Sequence, residues 1–120
     1  MPSRDRVNAF IKTVEAGEYV RAIEDFYTDD ASMRENQGEP RKTRAALAAH
    51  ETAMLKAVEA IKTRPVTRVA VDGDTVVIHW IFDITTKDGK TRTLDELAIQ
   101  RWQGDRIAEE QFYYDPSQRN

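Results

Sequence analysis

The sequence predicts an α+β domain in which about three helices pack on the concave face of a cone-like, curved antiparallel sheet. Two observations predict this fold. Apolar residues recur at helical spacing in the first half of the chain, and long β-rich segments joined by short turns fill the second half. Helices followed by antiparallel hairpins are typical of α+β proteins, and long twisted strands tend to curl around them. With 120 residues, we expect one domain spanning positions 1–120.

Three helices are predicted before the sheet. The first ends at Gly17, and the second covers about 18–27. The third covers about 44–62, with Thr43 as its N-cap and Pro65 after its end. The predicted buried stripe of this long helix consists of Leu47, His50 or Glu51, Met54, Val58 and Ile61.

Five strands are predicted from β-branched and aromatic residues that lie between turn residues. The first is short and follows a break at Asp29 and Asp30. The predicted strands are 31–36, 66–71, 75–86, 91–102 and 106–114. Gly and Asp residues in the intervening segments predict tight turns, so neighbouring strands should pair as antiparallel hairpins.

Composition excludes several classes of protein. The net charge is −3 and the basic residues are interspersed with acidic ones, which argues against nucleic-acid binding. The chain has no cysteine, so disulfides and thiolate chemistry are excluded. It has neither an apolar run of membrane-spanning length nor a signal-peptide core, so we expect a cytoplasmic protein away from membranes. No phosphate-binding loop or histidine pair of metal-ligand spacing is present, so no cofactor and no metal are expected.

The turn between the two longest strands decides which of their side chains share a face. A two-residue turn at 88–89 places His79 opposite Ala98. The face of His79 then carries Glu96 and Gln100 among apolar neighbours, and such a mixed surface suits a ligand pocket. We therefore expect this face to be concave and to line the pocket.

Two strand registers are possible for the last hairpin. A three-residue loop at 103–105 adds Glu110, Phe112 and Tyr114 to the His79 face. A two-residue loop would instead add Glu109, Gln111 and Tyr113. We favour the three-residue loop.

The opposite face is more apolar and is centred on Trp80. It would also carry Ile78, Phe82, Leu97 and Ile99. A large apolar outer surface on a small domain indicates oligomerisation, so we expect a homodimer formed through the Trp80 face. The reverse assignment stays open, because the more apolar face is also the natural core face.

Four segments carry a resemblance to a known superfamily. They are Ala-Gly-Glu at 16–18, Phe-Tyr-Thr-Asp-Asp-Ala at 26–31, Arg-Trp-Gln-Gly-Asp-Arg-Ile at 101–107 and Phe-Tyr-Tyr-Asp-Pro at 112–116. On these segments the chain resembles the nuclear-transport-factor-2-like (NTF2-like) superfamily and, within it, the SnoaL-like group. The resemblance covers nearly the whole chain and implies the fold, but this fold hosts enzymes and binding proteins alike.

Within the superfamily, ketosteroid isomerase gives the sharpest comparison. Its general-base aspartate follows a similar Asp-Asp-Ala segment at the spacing of Glu35 here, so the resemblance implies that Glu35 is a base in a pocket. The isomerase's two oxyanion donors do not carry over, since Phe10 and Ala98 occupy their positions. Steroid isomerisation by that mechanism is therefore not expected. Glu35 could instead form an ion pair with Arg34 or Arg41.

These observations predict a protein that binds a largely apolar small molecule. Glu35 and His79 are the predicted catalytic residues, exchanging protons near neutral pH. The predicted ligand-binding residues are Tyr27, His50, Met54, Glu96, Gln100, Trp102, Glu110, Phe112 and Tyr114. The resemblance implies cofactor-independent isomerase, cyclase or dehydratase chemistry if the protein is an enzyme. The alternatives are a non-catalytic binding or dimerisation module that uses the Trp80 face, and a protein-interaction domain that presents a sheet face.

Overall fold

A computed structural model describes residues 1–119 as three α-helices, a curved seven-stranded sheet and a short C-terminal helical turn. The helices are α1 (Arg4–Glu15), α2 (Tyr19–Phe26) and α3 (Arg44–Ala57). The strands are β1 (Tyr27–Glu35), β2 (Arg41–Lys42), β3 (Ala60–Thr63), β4 (Val69–Asp72), β5 (Thr75–Thr85), β6 (Thr91–Gln103) and β7 (Arg106–Tyr113), and a 3₁₀ helix covers Pro116–Arg119. The predicted α+β class is confirmed. No helix among these residues is long and apolar enough to cross a membrane.

The first helix ends before Gly17, as the sequence predicts. The Ser3 hydroxyl accepts a hydrogen bond from the Arg6 amide at 3.1 Å and so caps α1. Gly17 follows the helix with a φ of +81°, a conformation that glycine adopts without strain. The buried side of α1 consists of Val7, Phe10, Ile11 and Val14. This apolar stripe fixes the helix against the inner face of the sheet.

The third helix is shorter than predicted, because its last predicted turn belongs to the sheet. α3 ends at Ala57, and Ile61 lies in β3, where it pairs with Ile84 of β5. Helical spacing of Val58 and Ile61 alone does not distinguish a helix from an edge strand, and pairing with the long strand β5 determines the outcome. The predicted break at Asp29 and Asp30 is also absent, since both are exposed residues within the continuous strand β1.

The sheet is mixed, whereas the sequence predicted an antiparallel one. Its strand order is β2-β1-β7-β6-β5-β3, and β4 also pairs with β5. β1 and β7 run parallel, with Glu35 opposite Phe112, while every other pair is antiparallel. Parallel neighbours require a long crossover, and here the whole chain between β1 and β7 provides it. The first strand is thereby joined to the last.

The β5–β6 hairpin has a different register from the predicted one. Its loop has three residues, since the Thr86 amide donates to the Lys90 carbonyl at 2.8 Å. Trp80 therefore lies opposite Glu96, and His79 lies opposite Leu97. A shift of one residue exchanges the faces of one strand relative to its partner. The predicted grouping of His79 with Glu96 is wrong for this reason.

Trp80 belongs to the core and not to a dimer surface. Its side chain is only 2% exposed, and its ring packs edge-to-face on Phe10 at 6.1 Å. Phe10 makes similar contacts with Phe26, Tyr27 and Trp102. These five rings fill the space between the helices and the inner face of the sheet. The prediction of a homodimer through the Trp80 face is therefore wrong, and the Trp80 face is the concave one.

The last hairpin combines a two-residue turn with a β-bulge. Gln103 pairs with Arg106 across the turn, but Arg101 then pairs with Glu109, so Ala108 is the extra residue. The bulge shifts the pairing of β6 with β7 by one residue, and this shift places Glu110 opposite Gln100. The preferred three-residue loop is wrong, yet the expected placement of Glu110 on the Gln100 face is correct because of the bulge.

Candidate functional site

A cavity of about 170 Å³ lies between the inner face of the sheet and the helices. Its walls are mainly apolar, and they include the side chains of Phe10, Leu47, Met54, Trp80, Phe82 and Phe112. Carboxylates, arginines and one histidine interrupt these walls. An apolar cavity with a few convergent polar groups is the usual form of a small-molecule site.

Seven of the predicted site residues line this cavity. They are Tyr27, Glu35, His50, Met54, Glu96, Glu110 and Phe112. Gln100 and Trp102 are instead fully buried in the core behind it. Tyr114 lies outside the lining and reaches the site through a hydrogen bond to Glu35.

His79 lies on the opposite, outer face of the sheet. Its Nε2 is 2.6 Å from a carboxylate oxygen of Asp95, which is an exposed residue. The cavity is formed by the inner face, where Trp80 points. The predicted proton exchange between Glu35 and His79 is therefore wrong, because the sheet separates the two side chains.

Glu110 is the shared acceptor in the middle of a buried hydrogen-bond chain. The Tyr27 hydroxyl donates to one of its carboxylate oxygens, and the Gln100 amide donates to the other at 2.6 Å. Trp102 completes the chain by donating its indole N–H to the Gln100 carbonyl oxygen at 2.9 Å. Burial raises the pKa of Glu110 to about 7, although the hydrogen bonds from Tyr27 and Gln100 act against the rise. The chain fixes the Glu110 carboxyl at the cavity wall.

Glu96 is a buried carboxyl group without such support. It is 7% exposed, it lines the cavity, and no hydrogen bond to its carboxyl group is found within residues 1–119. Burial, together with the nearby charge of Glu110, raises its pKa to about 8. Glu96 is therefore mostly protonated at neutral pH and is free to contact a ligand.

Glu35 has the opposite electrostatic environment. It accepts hydrogen bonds from the Tyr114 hydroxyl at 2.6 Å, from Arg41 at 2.9 Å and from Arg119 at 2.7 Å. Burial alone would raise its pKa, but the three donors outweigh burial and lower the pKa below its ordinary value. This ionised, fully engaged carboxylate is a poor proton acceptor, which argues against the predicted role of Glu35 as the base of the pocket.

Three arginines at the cavity were not predicted as site residues. Arg41, Arg92 and Arg119 all line it. The position of Arg92 could have been found from strand alternation, since it shares the inner face of β6 with Glu96 once the register is correct. Arg41 lies in the two-residue strand β2 and Arg119 in the C-terminal 3₁₀ helix, and neither element has a periodic sequence signal.

The carboxyl groups at the cavity differ in their protonation. Glu96 and Glu110 titrate near neutral pH, while Glu35 stays ionised, so the cavity contains carboxyl groups in different protonation states. Such a difference allows acid–base chemistry without a cofactor. Within residues 1–119, no group of three or more histidine and carboxylate side chains is arranged to hold a metal ion.

Comparisons with known proteins agree with this architecture. A family model described as a SnoaL-like domain matches residues 7–110. No curated protein sequence is significantly similar to the chain. An NTF2-like protein of unknown function from Burkholderia pseudomallei has a similar structure, with a TM-score of 0.82 and 11% identity over 96% of this chain and 92% of that one.

Two further solved structures share the fold. One is a protein with a ketosteroid isomerase-like fold from Catenulispora acidiphila, in complex with trimethylamine (TM-score 0.80, 18% identity, 97% of this chain and 89% of that one). The other is a protein from Mesorhizobium loti with the provisional name SnoaL-like polyketide cyclase (TM-score 0.79, 23% identity, 95% of this chain and 100% of that one). At these sequence identities, the three structures show only that the fold is similar.

Proposed function

We propose that this chain, which belongs to the SnoaL-like domain family, binds a largely apolar small molecule and transfers a proton on it without a cofactor. Isomerase, cyclase and dehydratase reactions all need such a step. The observation that carries the proposal is the unpartnered Glu96 carboxyl group on the wall of an apolar cavity. The walls supply apolar contact, and Glu96 supplies the proton-transfer group.

The proposed role of Glu96 follows from its environment. A carboxyl group with a pKa of about 8 is a much stronger base, once ionised, than an ordinary glutamate. In the ionised form it would remove a proton from an acidic C–H bond of the ligand, leaving an enolate, and would then return the proton to a different atom. The Tyr27–Glu110–Gln100 chain would keep the neighbouring wall fixed during this exchange.

The proton-transfer step can be tested with a simple apolar ketone. In D₂O, the wild-type protein should catalyse deuterium incorporation at the α-carbons of 2-tetralone above the buffer rate, as followed by proton NMR. Glu96→Gln should lower this rate by at least about 100-fold, because it removes the base and keeps the size of the side chain. The wild-type rate should rise with pH towards a plateau above pH 8, because the ionised form of Glu96 is the base.

Glu109→Gln is the matched control. Glu109 precedes Glu110 on β7 but is exposed and pairs with Arg101 at 3.1 Å, so its loss should leave exchange unchanged. If the ketone shifts the NMR signals of cavity residues and no exchange occurs, the catalytic proposal fails and a binding module remains. If the ketone produces no such shifts, the small-molecule site itself is contradicted.

We also propose that the chain forms a homodimer, through the outer face of the sheet. Leu97, Ile99 and Tyr113 are the most exposed large apolar side chains after Met1 within residues 1–119. All three lie on this outer face, on the neighbouring strands β6 and β7. A contiguous apolar surface of this kind favours association of two copies.

A further inference from the structure

The arginine-rich end of the cavity contains hydrogen-bond donors that no group within residues 1–119 satisfies. Arg41 and Arg92 each have a buried Nε atom without a partner within residues 1–119. Both side chains line the cavity together with Arg119. Buried N–H groups are nearly always paired in folded proteins, because an unpaired one has lost its water without replacement. Two of them at one cavity indicate a missing acceptor.

The charges at this end are also unbalanced. Glu35 neutralises part of the positive charge of Arg41 and Arg119 through ion pairs of 2.9 and 2.7 Å. Arg92 has no carboxylate partner within residues 1–119, and its Nη1 donates to the Arg119 carbonyl at 2.7 Å. Glu96 is mostly protonated, because burial raises its pKa to about 8. Glu51 also lines the cavity, and the charges of Arg41 and Arg119 act on its carboxyl group. Three arginines therefore face at most two ionised carboxylates, Glu35 and Glu51, and the arginine end is positive inside a chain whose net charge is −3.

His50 reports the same positive environment. Burial lowers its pKa, and the neighbouring charges of Arg41 and Arg119 lower it further, whereas Glu35 acts in the opposite direction. A histidine loses affinity for its proton where the surrounding charge is positive. The same two arginines act to lower the pKa of Glu51, against the rise that its burial causes. At both His50 and Glu51 the arginine charges therefore act in the direction that favours an anion.

The inner face of β6 relates this end to Glu96. Arg92, Leu94 and Glu96 alternate along it, so about 13 Å of strand separates the positions of Arg92 and Glu96. Leu94 is buried between them. A ligand with a charged group at Arg92 would therefore place an apolar body over Leu94 and its other end at Glu96.

We propose that the molecule bound in this cavity is an organic anion, with an apolar body and a carboxylate or similar oxyanion that Arg92 holds together with Arg41 and Arg119. This inference rests on the proposed function and names the ligand class for the same site. A carboxylate accepts hydrogen bonds from the fork of a guanidinium and satisfies the orphaned Nε donors. The charged group then fixes which part of the apolar body faces Glu96.

Matched acid and amide probes test this class. Benzoate, 3-phenylpropanoate and 2-naphthoate would each be compared with the corresponding amide by calorimetry, since each pair differs in charge but hardly in shape. The best acid should bind about tenfold or more tightly than its amide. In ¹H–¹⁵N spectra, the acid should also shift the Nε–H signals of Arg92 and Arg41. Arg92→Gln should reduce the preference to less than about threefold.

Two control variants separate recognition from structure. Arg101→Gln removes an arginine from the exposed outer face of the same strand and should keep the preference. Gln118→Ala loosens the 3₁₀ helix by removing the bonds to the Asp95 backbone at 2.8 and 3.1 Å, and it leaves the guanidinium of Arg92 in place. This variant should also keep the preference, which distinguishes Arg92 from a mere anchor of the 3₁₀ helix.

The outcomes distinguish the two proposals. Equal binding of acids and amides overturns the anion inference and leaves the small-molecule site intact. An acid preference that persists in Arg92→Gln also overturns it. Inorganic phosphate that binds as tightly as the best acid would show that only a surface anion site is present, without a need for an apolar body. If no acid or amide binds, both the anion inference and the proposed function fail.

Discussion

Two glutamates at one cavity show how local environment sets the chemistry of a residue. Glu35 has three donors and stays ionised, whereas Glu96 has none within residues 1–119 and stays mostly protonated. The segment around Glu35 resembles the base of an isomerase, so the sequence singles out Glu35 as the base. The sequence suggested Arg41 as one possible ion-pair partner of Glu35, and this pair is present. It showed neither Arg119 and Tyr114 at Glu35 nor the burial of Glu96. Arg119, one of the three groups that lower the pKa of Glu35, is 84 positions away in the chain.

The stability of the fold should depend on pH through Glu96. Its pKa is about 8 in the folded protein, compared with an ordinary value of 4.5, so the folded state binds more protons than the unfolded state between these two pKa values. Stability is therefore highest at low pH within this window and falls as pH rises. From pH 5 to pH 8 the contribution of Glu96 should fall by roughly 2 to 4 kcal/mol. Urea unfolding of wild type and Glu96→Gln should show this decline, with a flatter profile for the variant.

Glu109→Gln supplies the comparison for this pH effect. The bond to Arg101 lowers the pKa of the exposed Glu109, so any stability that it contributes is lost only as pH falls below the ordinary glutamate range. Its substitution should therefore leave the profile between pH 5 and pH 8 unchanged. A profile for Glu96→Gln as steep as that of wild type would contradict the assignment of the raised pKa to Glu96.

At the scale of elements, one loop residue separates the predicted arrangement of faces from the observed one. The existence and approximate extent of β5, β6 and β7 follow from their composition, and the sequence also predicts two of the three helices closely. The loop between β5 and β6 could not be counted, because Asp88-Gly89 suits both a two-residue turn and the last two residues of a three-residue loop. Every statement about His79 and Trp80 depended on that count.

The start of α3 contains a strained residue that also caps the helix. Thr43 has a φ of +78°, and its hydroxyl accepts a hydrogen bond from the Ala46 amide at 3.2 Å. Thr43→Ala should lower the free energy of unfolding by about 1 kcal/mol, because the cap is lost and the strain remains. Thr43→Gly should be at least as stable as wild type, because glycine relieves the strain and caps nearly as well. Chemical denaturation of both variants checks this order.

Ser3 is the matched position for this comparison. It caps α1 in the same way, but its φ is −73°, so no strain can be relieved there. Both Ser3→Ala and Ser3→Gly should be less stable than wild type, and the glycine variant should lose less. If Thr43→Gly is also less stable than wild type by the amount seen at Ser3, the backbone at Thr43 is not strained. α3 carries His50, Glu51 and Met54 to the cavity, so its start also affects the site.

At the scale of the whole molecule, the two faces of the sheet have separate roles. The inner face supplies the core and the cavity. Because the helices pack on that face, apolar residues of β6 on the outer face stay exposed. The charged residues Asp95 and Arg101 lie on this face at either side of Leu97 and Ile99. An apolar centre with a charged rim is the composition of many protein interfaces. The same hairpin register that buries Trp80 therefore exposes Leu97.

This arrangement predicts a dimer that one substitution on the outer face should dissociate. Sedimentation of the wild type should give twice the 13.8 kDa mass of one chain. Leu97→Glu should give the monomer mass, because two copies of the new carboxylate would be buried in a symmetric contact. Gln103→Glu adds the same charge at the exposed end of the same strand and should remain dimeric. A wild type that sediments as a monomer, or a Leu97→Glu variant that stays dimeric, would contradict this interface. Leu97 points away from the cavity, so the monomeric variant should still bind the acid probes.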